Sequence, residues 1–212
     1  MFDTRGNTGG DSIWTVRILE ALYGLEYLSS VSWPKDVKGY AEIRATEEGL
    51  RRFKNALLLE TDPEIKQLIS DEIKKLSDAL LQGKATYTRS MDINDFDFSK
   101  KPQTNSTLNP IQGQVYLLTD HTCFSSGLMF ADLILSIPGV KHIGQETDGD
   151  TVFSQTSSFE LESQLGRVVC PTMIKRNRAR RDNETYTPEK IFPGPINDFQ
   201  ALKSWVIENT PF

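Results

Sequence analysis

Apolar residues recur at helical spacing over residues 11–23, where Ile13, Val16, Leu19, Leu22 and Tyr23 form a stripe. Asp11 or Ser12 supplies an N-cap and Gly24 suits a C-terminal stop, so the pattern predicts a helix. Residues 46–82 read as helical and heavily charged. Thr46-Glu47-Glu48-Gly49 opens one segment, and Asp62-Pro63-Glu64 opens another with proline at a first helical position. Ile65, Leu68, Ile69, Ile73, Leu76 and Leu80 then recur at helical spacing. From Ser90 to Pro110 the chain is polar and turn-rich, which predicts a loop. Gln114 to Thr119 is a short apolar run suited to a buried strand, and a helix over about 126–136 ends at Pro138-Gly139. Val140 to Ile143 predicts another strand, and Ser157 to Glu162 with Arg167 to Ile174 predicts a strand pair turning at Gly166. Asn197 to Asn209 closes the chain as a helix with Phe199, Leu202, Trp205 and Val206 on one side. Strands alternating with helices indicate an α/β fold.

Composition narrows the functional classes. The 212 residues are 38% hydrophobic and 25% charged, enough for one good-sized domain with a core. A net charge of −5 argues against a general nucleic-acid partner or an anionic membrane surface. Two histidines, His121 and His142, and two cysteines, Cys123 and Cys170, fit no zinc spacing, so no His/Cys metal site is expected. A disulfide scaffold is excluded, while one Cys123–Cys170 bridge stays open. The first twenty residues carry charge throughout and form no signal peptide. The longest apolar stretch, Gly127 to Ile137, contains Asp132 and is too short for a transmembrane segment. Met1-Phe2-Asp3 runs directly into a Gly-rich turn, which suggests a piece of a longer protein.

Two strand-to-helix junctions carry the chemistry. The first is Asp3-Thr4-Arg5-Gly6-Asn7-Thr8-Gly9-Gly10-Asp11-Ser12. Its glycines allow close backbone approach, and the helix that follows starts with unpaired N–H groups. Such a turn suits an anion or a developing negative charge, or is simply a turn. It has neither the Gly-Lys-Ser/Thr of a Walker loop nor dinucleotide glycine spacing. The second is Thr119-Asp120-His121-Thr122-Cys123-Phe124-Ser125-Ser126-Gly127. A serine between strand and helix suits a nucleophile helped by the helix dipole, or a plain N-cap. It is not the G-x-S-x-G elbow.

Together the junctions resemble a known family. Phe2-Asp3-Thr4-Arg5-Gly6-Asn7-Thr8-Gly9-Gly10 resembles the DxRxNxGG segment of the C-terminal processing peptidases, or tail-specific proteases. Residues 115–134 resemble their nucleophile segment, residues 140–151 their hIGxxTxG segment, and residues 178–188 with the late Pro-Gly their closing segment. The resemblance implies a crotonase-like α/β core of stacked β-β-α units over 1–212, with a helical insertion at about 33–107. It implies a serine peptidase without cofactor, acting on peptide or protein substrates, and a homo-oligomer is compatible with it. It suggests the cell envelope or another extracytoplasmic site for a full-length form.

Carried over residue by residue, Ser125 is the nucleophile, and the N–H groups of Ser126 and of Gly9 or Gly10 form the oxyanion hole. Many members use a lysine after hIGxxTxG. Here that stretch is Thr147-Asp148-Gly149-Asp150-Thr151, so a Ser-Lys dyad is not supported. The tricorn-like branch uses serine, histidine and glutamate, and Glu184 either matches the position of that glutamate or is a plain surface residue. The branch's histidine precedes DxRxNxGG and so falls outside these residues. His121 reads as a rim residue and His142 as a buried or edge residue. Arg178 and Arg180 belong to a basic run that either pairs with acidic neighbours or binds a substrate carboxylate. Two rival readings are a non-catalytic peptide-binding relative and a crotonase-like acyl-CoA enzyme, in which Ser125 has no role.

Overall fold

The computed structural model describes residues 1–31, 33, 39–90, 108–178 and 180–210. The chain divides into two compact units. One comprises Met1–Val37, Asp92–Thr151 and Arg178–Phe212, the other Lys38–Met91 and Val152–Asn177.

The first unit is built on a four-stranded parallel sheet. Its strands are β1 (Phe2–Asp3), β4 (Tyr116–Thr119), β5 (Lys141–Gly144) and β8 (Lys190–Ile191), in that spatial order. Alternate side chains leave opposite faces of a strand, and Leu117 and Leu118 show it. Leu117 packs with Val16, Leu19, Leu28, Phe130 and Ile134, from α1 (Ile13–Ser30) and α4 (Ser126–Ile134). Leu118 packs on the other face with Ile143, Phe192 and Leu202, the last from α5 (Phe199–Asn209). The result is a helix–sheet–helix sandwich around buried parallel strands.

Helix α1 departs from the expected stop at Gly24. That glycine takes φ 71°, ψ 151° and breaks the helix, but Tyr27 and Leu28 are buried beyond it, so packing carries the helix on to Ser30. Leu22, expected on the inner stripe, is exposed, while Val16, Leu19 and Tyr23 are buried.

The second unit has an antiparallel sheet in the order β3 (Thr86–Ser90), β2 (Tyr40–Arg44), β7 (Arg167–Arg176), β6 (Phe153–Glu160). Helices α2 (Glu47–Leu59) and α3 (Pro63–Leu81) connect β2 to β3. Thr46 caps α2 through the N–H of Gly49, and Asp62 caps α3 ahead of Pro63, as the sequence indicated. Leu76 and Ala79 of α3 pack on Ala41, Ile43, Tyr87 and Met173. Glu72 is buried on the same helix, where it accepts from the Tyr87 hydroxyl (3.1 Å) and pairs with Lys75 (3.2 Å). The segment read as a helical insertion thus contains two strands as well as two helices. Its residues 34–38 and 91–107, and with them most of the loop expected over 90–110, lie outside the described residues.

Leu117 sits at the centre of the larger core with no exposed surface. Leu117→Ala is expected to cost about 2–5 kcal/mol of unfolding free energy. Urea titration should show a lower midpoint with an unchanged slope.

Candidate active site

Strands β1 and β4 lie side by side in parallel, with Phe2 opposite Leu117 and Asp3 opposite Leu118. Both therefore end at the same edge of the sheet, and both turn there into a helix. In open α/β sheets that edge is where ligands bind. Thr4 continues the pairing, with its N–H and its hydroxyl both donating to the Leu118 carbonyl (2.9 Å each). The Phe124 N–H then donates to the Asn7 carbonyl (3.0 Å), stitching one junction to the other. The approach is too close for side chains. A Cβ on Gly127 would stand 2.9 Å from the Asn7 oxygen, and one on Gly9 would stand 2.7 Å from the Ser125 Cβ.

Ser125 occupies the N-cap of α4 with φ 56°, ψ −117°, a conformation L-residues rarely adopt. Its side chain makes no capping hydrogen bond. The alternative of a plain capping serine is therefore not what the structure contains. The hydroxyl stands half-buried at the positive end of the helix, 3.1 Å from where a Gly9 Cβ would be.

The backbone donors differ in availability. The Gly9 N–H donates to the Asn7 side-chain oxygen (3.0 Å). Ser126 opens the first turn of α4, where N–H groups lack an intrahelical acceptor. Gly10 has φ 151° and open space on its side-chain side. Among the described residues, the N–H groups of Gly10 and Ser126 have no acceptor. Asn7, given no part by the sequence reading, holds both junctions through its backbone and its side chain.

A second seam fixes the loop after β5. The Asp148 N–H donates to the Cys123 carbonyl (3.2 Å), and Thr147 and Tyr186 exchange two hydrogen bonds (3.1 and 2.9 Å). A Cβ on Gly149 would lie 2.7 Å from the Asn183 oxygen. Glu184 sits in this laced segment but is exposed, and its carboxylate accepts the Arg181 N–H (2.6 Å). Arg180 is buried and pairs with Asp132 of α4 (2.7 Å), whose carboxylate also accepts from the Tyr186 hydroxyl (2.7 Å). Burial and the Asp132 charge push the Tyr186 phenol far up. Arg178 pairs with the buried Asp150 (3.1 Å). The charges of Arg178 and Arg180, considered above for a substrate carboxylate, are balanced inside the protein instead.

His121 is exposed, and His142 is buried in β5 with Nε2 2.8 Å from the Thr119 hydroxyl oxygen. Neither ring hydrogen-bonds Ser125 among the described residues. Burial holds the His142 pKa down at about 4. Cys123 and Cys170 are both free thiols, and burial pushes the Cys123 thiol up, which keeps it protonated and inert.

No family model matches the sequence, and a search of curated proteins finds no significant match. Solved structures do match. A serine-to-alanine mutant of CPAF is 12% identical over 97% of this chain and 40% of that chain, with a TM-score of 0.51. A lipoprotein from Streptococcus agalactiae is 20% identical over 96% of this chain and 52% of its own (TM-score 0.41). A candidate peptidase from Parabacteroides merdae ATCC 43184 is 16% identical over 90% of this chain and 44% of its own (TM-score 0.43). The chain shares its mixed α/β fold with CPAF. It spans between 40% and 52% of the length of these structures.

Two outcomes are expected. Gly9→Ala forces a side chain against Ser125 at a backbone φ of 111° and should lower the urea midpoint, while circular dichroism shows a folded protein. For His142, the folded-state pKa lies below the ordinary value of 6.5. The unfolded chain therefore binds the proton first, and stability is lost as pH falls from about 6.5 to about 4. The loss should approach about 3 kcal/mol. Urea titrations across that range should show the slope flattening in His142→Gln.

Proposed function

We propose that the chain is the catalytic core of a serine-type endopeptidase of the tail-specific protease family, with the crotonase-type arrangement the family implies. The observation that carries this reading is Ser125 itself. It is a non-capping serine in a strained conformation at a helix N-terminus, packed against Gly9 of a second glycine-rich junction. Strain of this kind costs about 1–3 kcal/mol and clusters at functional sites.

In the proposed mechanism the Ser125 Oγ attacks a peptide carbonyl carbon and its proton passes to a base. The developing oxyanion is met by the N–H groups of Ser126 and Gly10, with Gly9 as the third donor once Asn7 releases it. Each such donor contributes about 2.7–4 kcal/mol in comparable sites. The acyl-enzyme is then hydrolysed by water. On the Ser-His-Glu pattern the base would be a histidine preceding the DxRxNxGG segment, outside these 212 residues, while His142 is held by Thr119. Glu184 orients that histidine after leaving the Arg181 N–H.

The present engagement of Glu184 favours one other reading, a peptide-binding relative that keeps the fold without turnover. A fluorophosphonate probe, applied to a longer form that includes the proposed histidine, separates the two. Labelling mapped to Ser125 by mass spectrometry and lost in Ser125→Ala is the expected result. Absence of label at Ser125 overturns the peptidase reading.

A further inference from the structure

The second unit contains a cavity of about 320 Å3 between α2 and its antiparallel sheet. That volume lies at the small end of the range for small-molecule sites. Ile43 of β2 and Leu76 of α3 line it from the core, and Phe53 and Ala56 line it from α2. Helix α2 is an incomplete roof. None of its residues is fully buried, whereas α3 buries Leu76 and Ala79. Two guanidinium groups line the same space, and among the described residues no carboxylate does. Arg44 makes neither a hydrogen bond nor an ion pair among the described residues. Arg52 donates from Nη1 to the Thr156 carbonyl (3.2 Å) and the Ser157 hydroxyl (2.5 Å), both neutral, and its Nε and Nη2 donate to no described residue. The neighbouring carboxylates are engaged elsewhere. Glu42 is paired with Arg176 (3.0 Å), and Glu48, close enough to feel the Arg52 charge, is paired with Arg51 (2.8 Å). The sheet is also interrupted here. Gln155 lines the cavity with φ 50° and is passed over in the β6–β7 register, which steps from Ser154↔Met173 to Thr156↔Pro171.

We infer that this cavity binds a small organic carboxylate with an apolar body, the charge answered by Arg44 and Arg52 and the body packed against Ile43, Leu76 and Phe53. Every lining residue belongs to the second unit, so the site does not depend on the chemistry of Ser125. The planar fork of a guanidinium matches a carboxylate, and such charged hydrogen bonds are stronger than neutral ones. A neutral ligand leaves both guanidiniums unanswered, and a cationic one is repelled by them. The apolar body completes the packing that α2 lacks in the free chain. A peptide added as a further strand fits less well. Strand β6 is an edge strand, but Arg52 already occupies its Thr156 carbonyl.

Calorimetric titration of the full chain tests the site with four probes: naphthalene-2-carboxylate, its neutral amide, acetate and 2-naphthylmethylammonium. Naphthalene-2-carboxylate should bind at least about tenfold more tightly than each of the other three. NMR should place its largest shifts at the Gly49 and Ala56 amides. Arg44→Gln and, independently, Arg52→Gln should each weaken binding at least about fivefold. Ala56→Trp fills the cavity from α2 and should abolish binding, with circular dichroism reporting an unchanged fold. Arg44 and Arg52 are exposed, so their variants keep the test decisive should Ala56→Trp fail to fold. Equal binding of the carboxylate and its amide overturns the site. So do shifts centred outside the second unit, or an affinity that neither arginine variant changes.

Discussion

The first unit is organised around backbone meeting backbone. Gly9 lies against Ser125 and Gly127 lies against Asn7, each at a distance that leaves no room for a Cβ. That contact continues the parallel register of β1 on β4, with Thr4 bonded to Leu118 and Phe124 to Asn7. It also stabilises the unfavourable backbone of Ser125, which a freer loop would relax. Gly10 and Asp11 ahead of α1 and Ser126 at the start of α4 line one cavity, so the N-terminal ends of the two helices lie close together.

Charge fastens what the glycines bring together. Asp132 lies on the helix that Ser125 begins, and through Arg180 it holds the segment carrying Glu184. Asp150 receives Arg178 and lies near Arg180, so the loop after β5 joins the same network. Buried pairs of this kind add little net stability, since desolvation offsets much of the attraction. Their effect is positional. A guanidinium that is 6% exposed has few places to go, and the backbone attached to it is held accordingly.

Much of the fold was legible because its signals are local. The capped starts of α2 and α3, the proline at the head of α3 and the hairpin turning near Gly166 follow from short stretches of chain. Strands β2 and β3 were not legible. Tyr-Ala-Glu-Ile-Arg and Thr-Tyr-Thr-Arg-Ser have too few apolar positions to announce themselves, and their identity depends on pairing with each other and, for β2, with the distant β7. The helix through Gly24 was missed for a related reason, since the burial of Tyr27 and Leu28 outweighs a local stop signal. At the site, the two glycine-rich turns were visible in the sequence. Asn7 as the clasp and Asp132 as the partner of Arg180 were not, because both act on residues more than forty positions away along the chain.

The conformation of Ser125 weighs against a purely structural origin for the junction. A serine retained for capping would adopt extended backbone and accept an N–H from the first turn. Ser125 does neither. Glycine would relieve the positive φ, and it already serves that purpose at Gly9 and Gly10 on the facing turn. What serine adds over glycine here is one hydroxyl without a capping role, at the positive end of a helix and beside two open N–H groups. A thioester-binding site of the acyl-CoA type needs the N–H groups and gains nothing from that hydroxyl. Nucleophilic attack would need both, and the proposed acyl transfer to Ser125 rests on that combination.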